Sequence, residues 1–248
     1  MTTVGSIQRV GQILDLFTIE HPEWGVTQVA TQIGVSKSSA HALLLTLSHI
    51  GLLRRTPENR YQLGWRVLTL SRVIIETTPL RAAARPVLER LITQYGETVQ
   101  LAALASGRVV TLDRLPGNRA VRVDVPGAGN ELPGHATAPG KVLLADLNDE
   151  ELRPFTAAHG LPGFTRSTIT TPGELTSELR GVREQGYAYD IEESARELCG
   201  IAVPVRYQSG GVVAALGFAV PAHRFHESKV AYRNTLLEAA KEIEERLG

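Results

Sequence analysis

Hydrophobic residues in the N-terminal part of the chain recur at the spacing of amphipathic helices. Three stripes follow one another, and each has an apolar residue every three or four positions, which predicts helices that bury one face. The stripes are Val10, Ile13, Leu14 and Phe17; Val29, Ala30 and Ile33; and Ala40, Leu43, Leu44 and Leu47. Together they predict a small core of three helices.

The residues that flank these stripes set the expected helix ends. Thr27 is the predicted N-cap of the second helix, Gly34 its end, and Ser36 the N-cap of the third helix. After Gly51, the segment 52–63 alternates in polarity around the turn residues Pro57-Glu58-Asn59, which predicts a β-hairpin. Helix, turn, helix and hairpin in this order predict a winged helix-turn-helix domain over residues 1–64, whose third helix enters the DNA major groove.

The polar residues of this domain are the predicted DNA contacts. Small polar residues at a helix N-terminus approach phosphates and base edges closely, and a basic hairpin binds the backbone or the minor groove. The candidate residues are Thr27, Gln28, Ser36, Lys37, Ser38, Ser39, His41, Ala42, Arg54, Arg55 and Arg60. Residues 36–66 carry five basic side chains and only one acidic side chain, Glu58, although the whole chain is formally neutral. Charge concentrated in this way favours a sequence-specific DNA-binding protein.

The pattern changes after the hairpin. Residues 65–78 read as a linker helix whose apolar residues cover more than one face, so it requires cover from a second domain or a second subunit. Residues 79–248 begin with an amphipathic helix over 80–95 and continue with strands and helices. Strands are predicted at 98–104, 108–115, 119–125, 186–193, 200–207 and 212–221, and helices at 139–147, 173–186 and 228–247. This order predicts an α+β domain with an antiparallel sheet.

Composition narrows the setting of the protein. The 248 residues are 43% hydrophobic and 21% charged, which is globular composition. No apolar stretch is long enough to span a membrane, and the N-terminus lacks the pattern of a signal peptide, so we expect a cytoplasmic protein without a membrane partner. Cys199 is the single cysteine, which excludes an internal disulfide. We expect it to be a small buried residue rather than a nucleophile.

Enzyme motifs are incomplete. The segment 134–142 resembles a phosphate-binding loop, but His135 stands where that motif needs glycine and Val142 where it needs a hydroxyl. The histidines are scattered, so no metal site and no cofactor is predicted, and the acidic residues at 190–193 are expected to form a solvated loop end. The turn-rich segment 134–140 instead offers free N–H groups at a helix start, where a carboxylate could bind. The alternative is an enzyme whose winged helix serves for interaction and whose activity depends on Cys199, Asp190 or the histidines.

Several segments together resemble the IclR family of bacterial transcriptional regulators. They are SIQRVGQILDLF, SKSSAHALLLTLSHIGLLRR, GHATAPGKVLLA, GYAYDIEESARELCGIAVPV and ALGFAVP, in order from Ser6 to Leu247. The resemblance implies a winged helix, a linker helix and a GAF-like effector-binding domain that binds a small regulatory molecule. It also implies a homodimer, often paired into a tetramer, on a palindromic operator in double-stranded promoter DNA. We therefore expect a repressor or dual regulator of a catabolic operon, and not an enzyme.

The resemblance also assigns residues. The expected effector contacts are His135, Thr137, Ala138, Gly140, Asp190, Gly200, Gly217 and Ala219. Family members often have arginine at the position of Ala42 and serine at those of Gly217 and Ala219, and some have cysteine at that of Gly200. The last three replacements predict a wider and less polar pocket. We therefore expect a small organic acid with a flat apolar body, such as a hydroxylated benzoate.

Overall fold

The computed structural model describes residues 4–118 and 131–248. The chain divides into two compact units, Met1–Thr77 and Thr78–Gly248. The predicted strand at 119–125 lies outside the described residues. Over the described part of the chain, no helix is long and apolar enough to cross a membrane.

The first unit contains three helices, a hairpin and a further helix. The elements are α1 (Gly5–Asp15), α2 (Val26–Gln32), α3 (Lys37–His49), β1 (Leu53–Arg55), β2 (Tyr61–Leu63) and α4 (Arg66–Thr77). Its core joins the predicted stripes to two hairpin residues. The fully buried members are Ile13, Val29, Ala40, Leu44, Leu47, Leu53 and Tyr61. The winged helix-turn-helix predicted from the stripes is confirmed.

The ends of the helices follow side-chain chemistry, with one correction. Ser36 caps α3 as predicted, because its hydroxyl accepts a hydrogen bond from the Ser39 N–H at 3.2 Å. The prediction that Thr27 is the N-cap of α2 was wrong. Gly25 is the N-cap, and its N–H donates to the side-chain oxygen of Gln28 at 3.0 Å, so the side-chain cap at this end comes from Gln28 alone.

The hairpin and α4 complete the first unit. Leu53 pairs with Leu63 and Arg55 with Tyr61, and Trp24 adds a bridge to Tyr61 outside the two strands. None of the α4 residues is buried within the described chain. The large apolar side chains that α4 and its preceding residue leave exposed are Trp65, Leu68, Leu70, Val73, Ile74 and Ile75.

The second unit is an antiparallel sheet with helices on both faces. Its strands are β3 (Thr98–Ala105), β4 (Arg108–Leu115), β5 (Glu131–Leu132), β6 (Ala188–Ile191), β7 (Leu198–Arg206) and β8 (Val212–Pro221). They lie in the order β5-β4-β3-β8-β7-β6. The helices are α5 (Pro79–Tyr95), α6 (Ala138–Ala145), α7 (Asp149–His159), α8 (Pro172–Gln185) and α9 (Ala222–Arg246).

Alternation along the strands separates two apolar cores. One face, with Val99, Leu101 and Phe218, packs with α5 and α9. The other face, with Ala102, Ala202 and Ala215, packs with α6 and α8. The α+β class and the antiparallel sheet are therefore as predicted.

Two helices differ from the prediction. Helix α9 begins at Ala222, six residues before the predicted start at 228. Helix α7 was not predicted, since Pro154 lies inside it and removes a backbone donor. Its start is held by Asn148 and Glu151, which form a capping box.

Candidate DNA interface and effector site

Three hydroxyl groups are linked at the start of α3. The Ser36 hydroxyl lies 3.0 Å from that of Ser38 and donates to that of Ser39 at 2.9 Å. Ser36 therefore acts first as a helix cap, and it holds the two neighbouring hydroxyls in position at the positive end of the helix dipole. Such an arrangement presents polar groups to phosphate oxygens and base edges with little further ordering.

The remaining α2 and α3 candidates are all at the surface. Lys37, His41 and Ala42 are exposed on α3, as are Thr27 and Gln28 on α2. Gln28 is already engaged by the Gly25 N–H, so only its amide NH₂ remains for DNA. Ala42 has no polar side chain and offers only a close apolar contact. The exposed N-terminal part of α3 is thus the reading surface of this unit.

The three wing arginines have different surroundings. Arg55 is exposed and has no ionic partner in the described part of the chain, whereas the Arg54 guanidinium lies 5.2 Å from the ring centre of Trp65. Arg60 is half-buried and bound to Glu23. It donates to the Glu23 carbonyl at 2.9 Å and its guanidinium lies 3.4 Å from the Glu23 carboxylate. The charge of Arg60 is therefore partly neutralised by Glu23, and its contact with DNA stays a prediction.

Several predicted effector residues meet on one face of the second sheet. Asp190 of β6 pairs with Gly200 of β7, and Gly200 pairs with Ala219 of β8. An ideal Cβ on Gly200 would lie 3.4 Å from the Asp190 Cβ and 3.5 Å from the Ala138 Cβ. The start of α6 therefore lies over the sheet at the Asp190 end.

The packing of the strands accounts for the glycine at position 217. An ideal Cβ there would lie 2.7 Å from the Ile201 carbonyl oxygen and 3.1 Å from the Ala202 Cβ. The close approach of the two strands therefore leaves no room for a side chain at this position. At Gly200 an added Cβ would make ordinary contacts, so this position too is closely surrounded.

Asp190 is buried, which corrects the expectation of a solvated loop end. Its carboxylate accepts hydrogen bonds from the Glu193 N–H at 2.8 Å, the Ser194 N–H at 3.3 Å and the Ser194 hydroxyl at 2.5 Å. Burial raises the pKa of Asp190 to about 6, although these hydrogen bonds oppose the rise. The carboxylate thus closes the turn after β6.

The loop before α6 is more fully bonded than predicted. Thr137 caps α6, accepting from the Gly140 N–H at 3.3 Å and donating to the Pro133 carbonyl at 2.9 Å. Because Pro139 has no N–H and that of Gly140 is taken, only the Ala138 N–H remains from the first three helical positions. The prediction of several free N–H groups was wrong, and the helix start can offer one donor to an anion.

His135 and Gly140 hold this loop in place. The His135 Nε2 lies 3.0 Å from the Pro162 carbonyl, and its ring stacks on Phe164 with centroids 5.7 Å apart. Burial lowers the pKa of His135, so the neutral ring that donates from Nε2 is favoured. An ideal Cβ on Gly140 would lie 2.3 Å from the Gly134 carbonyl oxygen. Both residues therefore have contacts that support the loop.

The structure contains a buried cluster of charged residues that the sequence did not predict. The Lys141 ammonium is 2.7 Å from a Glu193 oxygen and 2.8 Å from a Glu178 oxygen, and Lys141 is 1% exposed. Burial raises the pKa of Glu193 to about 7, and the nearby ammonium limits the rise. A lysine inside an otherwise apolar helix was the sequence signal for this cluster, since a buried charge requires a partner of opposite charge.

Cys199 lies away from this face. It is fully buried in the core with α5 and α9, and burial raises the pKa of its thiol to about 11. A neutral thiol among apolar residues is a weak nucleophile, so the expectation of a small buried residue is confirmed. The enzyme alternative loses its candidate nucleophile.

The first unit has the fold of winged helix-turn-helix DNA-binding proteins, and comparison with known proteins gives the family. The model "Bacterial transcriptional regulator IclR C-terminal" matches residues 73–245, and the "IclR helix-turn-helix domain" matches residues 6–57. The chain belongs to the IclR family of DNA-binding transcriptional regulators.

Individual relatives agree with this family. The chain is 33% identical to the "HTH-type transcriptional regulator XynR" of Escherichia coli strain K12, over 100% of this chain and 99% of the relative. It is 36% identical to the "p-hydroxybenzoate hydroxylase transcriptional activator" of Acinetobacter baylyi, over 82% of this chain and 76% of the relative. These relatives are transcriptional regulators and not enzymes.

A solved structure is also similar along the whole chain. It is an IclR homologue from Microbacterium hydrocarbonoxydans complexed with 4-hydroxybenzoate, 28% identical in sequence with a TM-score of 0.77. The match covers 98% of this chain and 99% of that chain.

Proposed function

We propose that the protein is an effector-responsive regulator that acts in the cytoplasm on a palindromic operator. The exposed N-terminal face of α3, beside a basic wing, is the observation that supports DNA binding. Lys37 and Arg55 contact phosphates and position the protein, while Ser38, Ser39 and His41 reach base edges. The effector changes operator affinity because it binds the DNA-competent and the incompetent state unequally.

Salt dependence of binding to the DNA upstream of the gene tests the phosphate contacts. Each lost phosphate contact lowers the slope of log affinity against log salt concentration by about 1. Arg55→Ala should therefore lower the slope by about 1, whereas Arg60→Ala should lower it less because Glu23 already neutralises part of its charge. Fluorescence anisotropy at several salt concentrations measures both slopes. Equal slopes for wild type and Arg55→Ala would contradict this placement of the wing.

The proposed assembly is a homodimer or a dimer of dimers held in part by α4. Its apolar side contains Leu70 and Ile74, which lie one helical turn apart and are both exposed in the single chain. A palindromic operator requires two reading heads related by twofold symmetry. Ile74→Asp should give monomers with weak operator binding. Thr69→Asp is the matched control, since Thr69 shares the polar side of α4 with Arg72 and should leave the assembly intact.

Light scattering coupled to size exclusion decides this point. A monomeric wild type, or an Ile74→Asp variant as oligomeric as Thr69→Asp, would refute the role of α4.

The proposed effector is a small organic acid, with a hydroxylated aromatic acid as the preferred class. Two observations on relatives support this class: one is named for p-hydroxybenzoate hydroxylase, and the other is complexed with 4-hydroxybenzoate. The α6 start and the small residues at 200, 217 and 219 form the proposed binding face. Calorimetry with 4-hydroxybenzoate, glyoxylate and pyruvate tests it. Tight binding of the two short acids without binding of the aromatic acid would overturn the class.

The regulatory step has its own test. A gel shift of the promoter fragment is compared with and without 4-hydroxybenzoate, and the apparent operator affinity should change. An unchanged affinity at saturating effector would remove the regulatory part of the proposal and leave DNA binding in place.

A further inference from the structure

Gln100 is a buried polar residue whose hydrogen bonding is incomplete. It lies in the middle of β3 and is 2% exposed, and its side-chain oxygen has no hydrogen-bond partner in the described part of the protein. Buried amide oxygens in folded proteins are nearly always paired, so an unpaired one requires an explanation. A ligand that donates a hydrogen bond would pair this oxygen.

The position of Gln100 on its strand sets the side to which it points. Its neighbours Val99 and Leu101 enter the core with α5 and α9, whereas Ala102 enters the core with α6. Because successive side chains alternate between the faces of a sheet, Gln100 points to the same face as Ala102. This is the face that carries the proposed effector site.

The surface next to Gln100 on this face is built from small residues. Gly217 lies directly opposite Gln100 on β8, and Ala202 lies opposite Gly217 on β7. In the adjoining row, Ala219 is followed by Gly200 and then by Asp190 at the far side. None of the four small residues has a side chain larger than a methyl group, so none of them reaches the Gln100 amide with a polar atom.

The width of this floor sets the size of the molecule that fits it. Gln100 on β3 and Asp190 on β6 are separated by three strand spacings and by two residues along the strand, which is roughly 16 Å between backbones. The Ala138 N–H at the start of α6 lies at the Asp190 end, where it favours an anionic group.

We propose that Gln100 is a specificity-determining residue of the effector site, where its amide oxygen accepts a hydrogen bond from a hydroxyl group remote from the effector's carboxylate. The inference rests on the proposed effector function and adds the chemical group that is recognised. An acid without a hydroxyl leaves the buried oxygen unpaired and binds less tightly. The effector class is therefore a hydroxy acid whose two polar groups lie at opposite ends of an apolar body.

Calorimetry on the full chain with 4-hydroxybenzoate and benzoate measures the worth of the hydroxyl. Wild type should bind 4-hydroxybenzoate at least tenfold more tightly than benzoate. In Gln100→Leu the oxygen is replaced by apolar atoms, so the preference should fall to about one while benzoate affinity is kept or increased. Gln94→Leu is the matched control, because Gln94 is exposed on α5 and its variant should keep the wild-type preference.

The outcomes distinguish the role of Gln100 from the proposed effector function. If both variants keep the wild-type preference for the hydroxylated acid, Gln100 is not the recognising group and the effector function stands. If the wild-type protein binds neither acid, the aromatic class and the role of Gln100 are both overturned. A circular dichroism spectrum that matches that of the wild type shows that Gln100→Leu is folded. Gln100→Asn is a second variant with a shorter amide side chain, and it should retain part of the preference for the hydroxylated acid.

Discussion

Replacing Lys141 by methionine should destabilise the effector unit in a pH-dependent way. The Lys141 ammonium is 1% exposed and lies between two carboxylates, that of Glu193 at 2.7 Å and that of Glu178 at 2.8 Å. Methionine fills a similar volume but removes the charge. Glu193 would then be a buried carboxylate without its cationic partner, whereas Glu178 is 37% exposed and can turn to water.

The expected loss follows from the burial of the two partners. Breaking a buried ion pair by removing one partner costs about 3–5 kcal/mol, and a half-exposed pair contributes about 1 kcal/mol or less. The Glu193 side chain is 10% exposed, so we expect about 3 kcal/mol at pH 8. At pH 5.5 the loss should be about 1 kcal/mol, because Glu193 with its raised pKa is then mostly protonated in the folded wild type as well.

Urea unfolding of the full chain, followed by far-ultraviolet circular dichroism, measures these differences. Tryptophan fluorescence would miss them, since Trp24 and Trp65 both lie in the first unit. Hydrogen exchange of peptides from α6 and β7 assigns the change to the effector unit. Lys229→Met is the control at an exposed position and should change stability by less than about 0.5 kcal/mol.

A double variant separates the ion pair from the other contacts of Lys141. Lys141→Met with Glu193→Gln removes both charges, so most of the loss at pH 8 should be recovered. The same loss at pH 5.5 and pH 8 would refute the electrostatic reasoning. A double variant no more stable than Lys141→Met would refute it as well.

Three further predictions follow from single contacts. Gly140→Ala should lower the stability of the protein by about 3 kcal/mol or more, because the new Cβ would meet the Gly134 carbonyl oxygen at 2.3 Å. Gly181→Ala inside α8 meets nothing within 4 Å and should raise the stability by about 0.5–1 kcal/mol. Thermal melts that rank the two variants the other way would contradict both expectations. Ser36→Ala should cost the first unit about 1 kcal/mol through the lost α3 cap, measured by tryptophan fluorescence, and an unchanged midpoint would refute the cap. Burial raises the pKa of Glu193 from 4.5 to about 7, so wild-type stability should fall by about 3 kcal/mol in total as the pH rises through this range. Glu193→Gln should remove this fall, and parallel pH profiles for the two proteins would count against it.

The Lys141 cluster and the Gln100 amide define two different kinds of buried polar group on this sheet. One oxygen of Glu193 pairs with the Lys141 ammonium, which holds the start of α6 against the turn after β6, while its other oxygen has no hydrogen-bond partner among the described residues. Gln100 has an unpaired oxygen and lies where a ligand is proposed. The first kind should affect stability with little effect on ligand preference, and the second should do the reverse. Measuring both properties in both variants therefore separates the framework from the binding face.

Much of the first unit can be read from the sequence because its signals are local. Apolar spacing marks α1, α2 and α3, and the Ser36 cap depends on residues three positions apart. The element types of most strands are also predictable, since alternation and β-branched residues act within a few positions. The predicted N-cap of α2 was wrong because a glycine at the N-cap has no polar side chain to recognise. The side-chain hydrogen bond at this end comes from Gln28.

The effector site depended on the tertiary structure, because the same alternation is compatible with many strand registers. The observed register places Gln100 opposite Gly217, and Lys141 meets Glu193 across 52 positions of sequence. Arg60 meets Glu23 across 37 positions, which partly neutralises the charge of a predicted DNA contact. Sequence alone therefore determined the class of protein and its DNA-reading helix. Only folding decided which polar groups are paired inside the protein and which remain available to a ligand, since burial and partners are set by long-range packing.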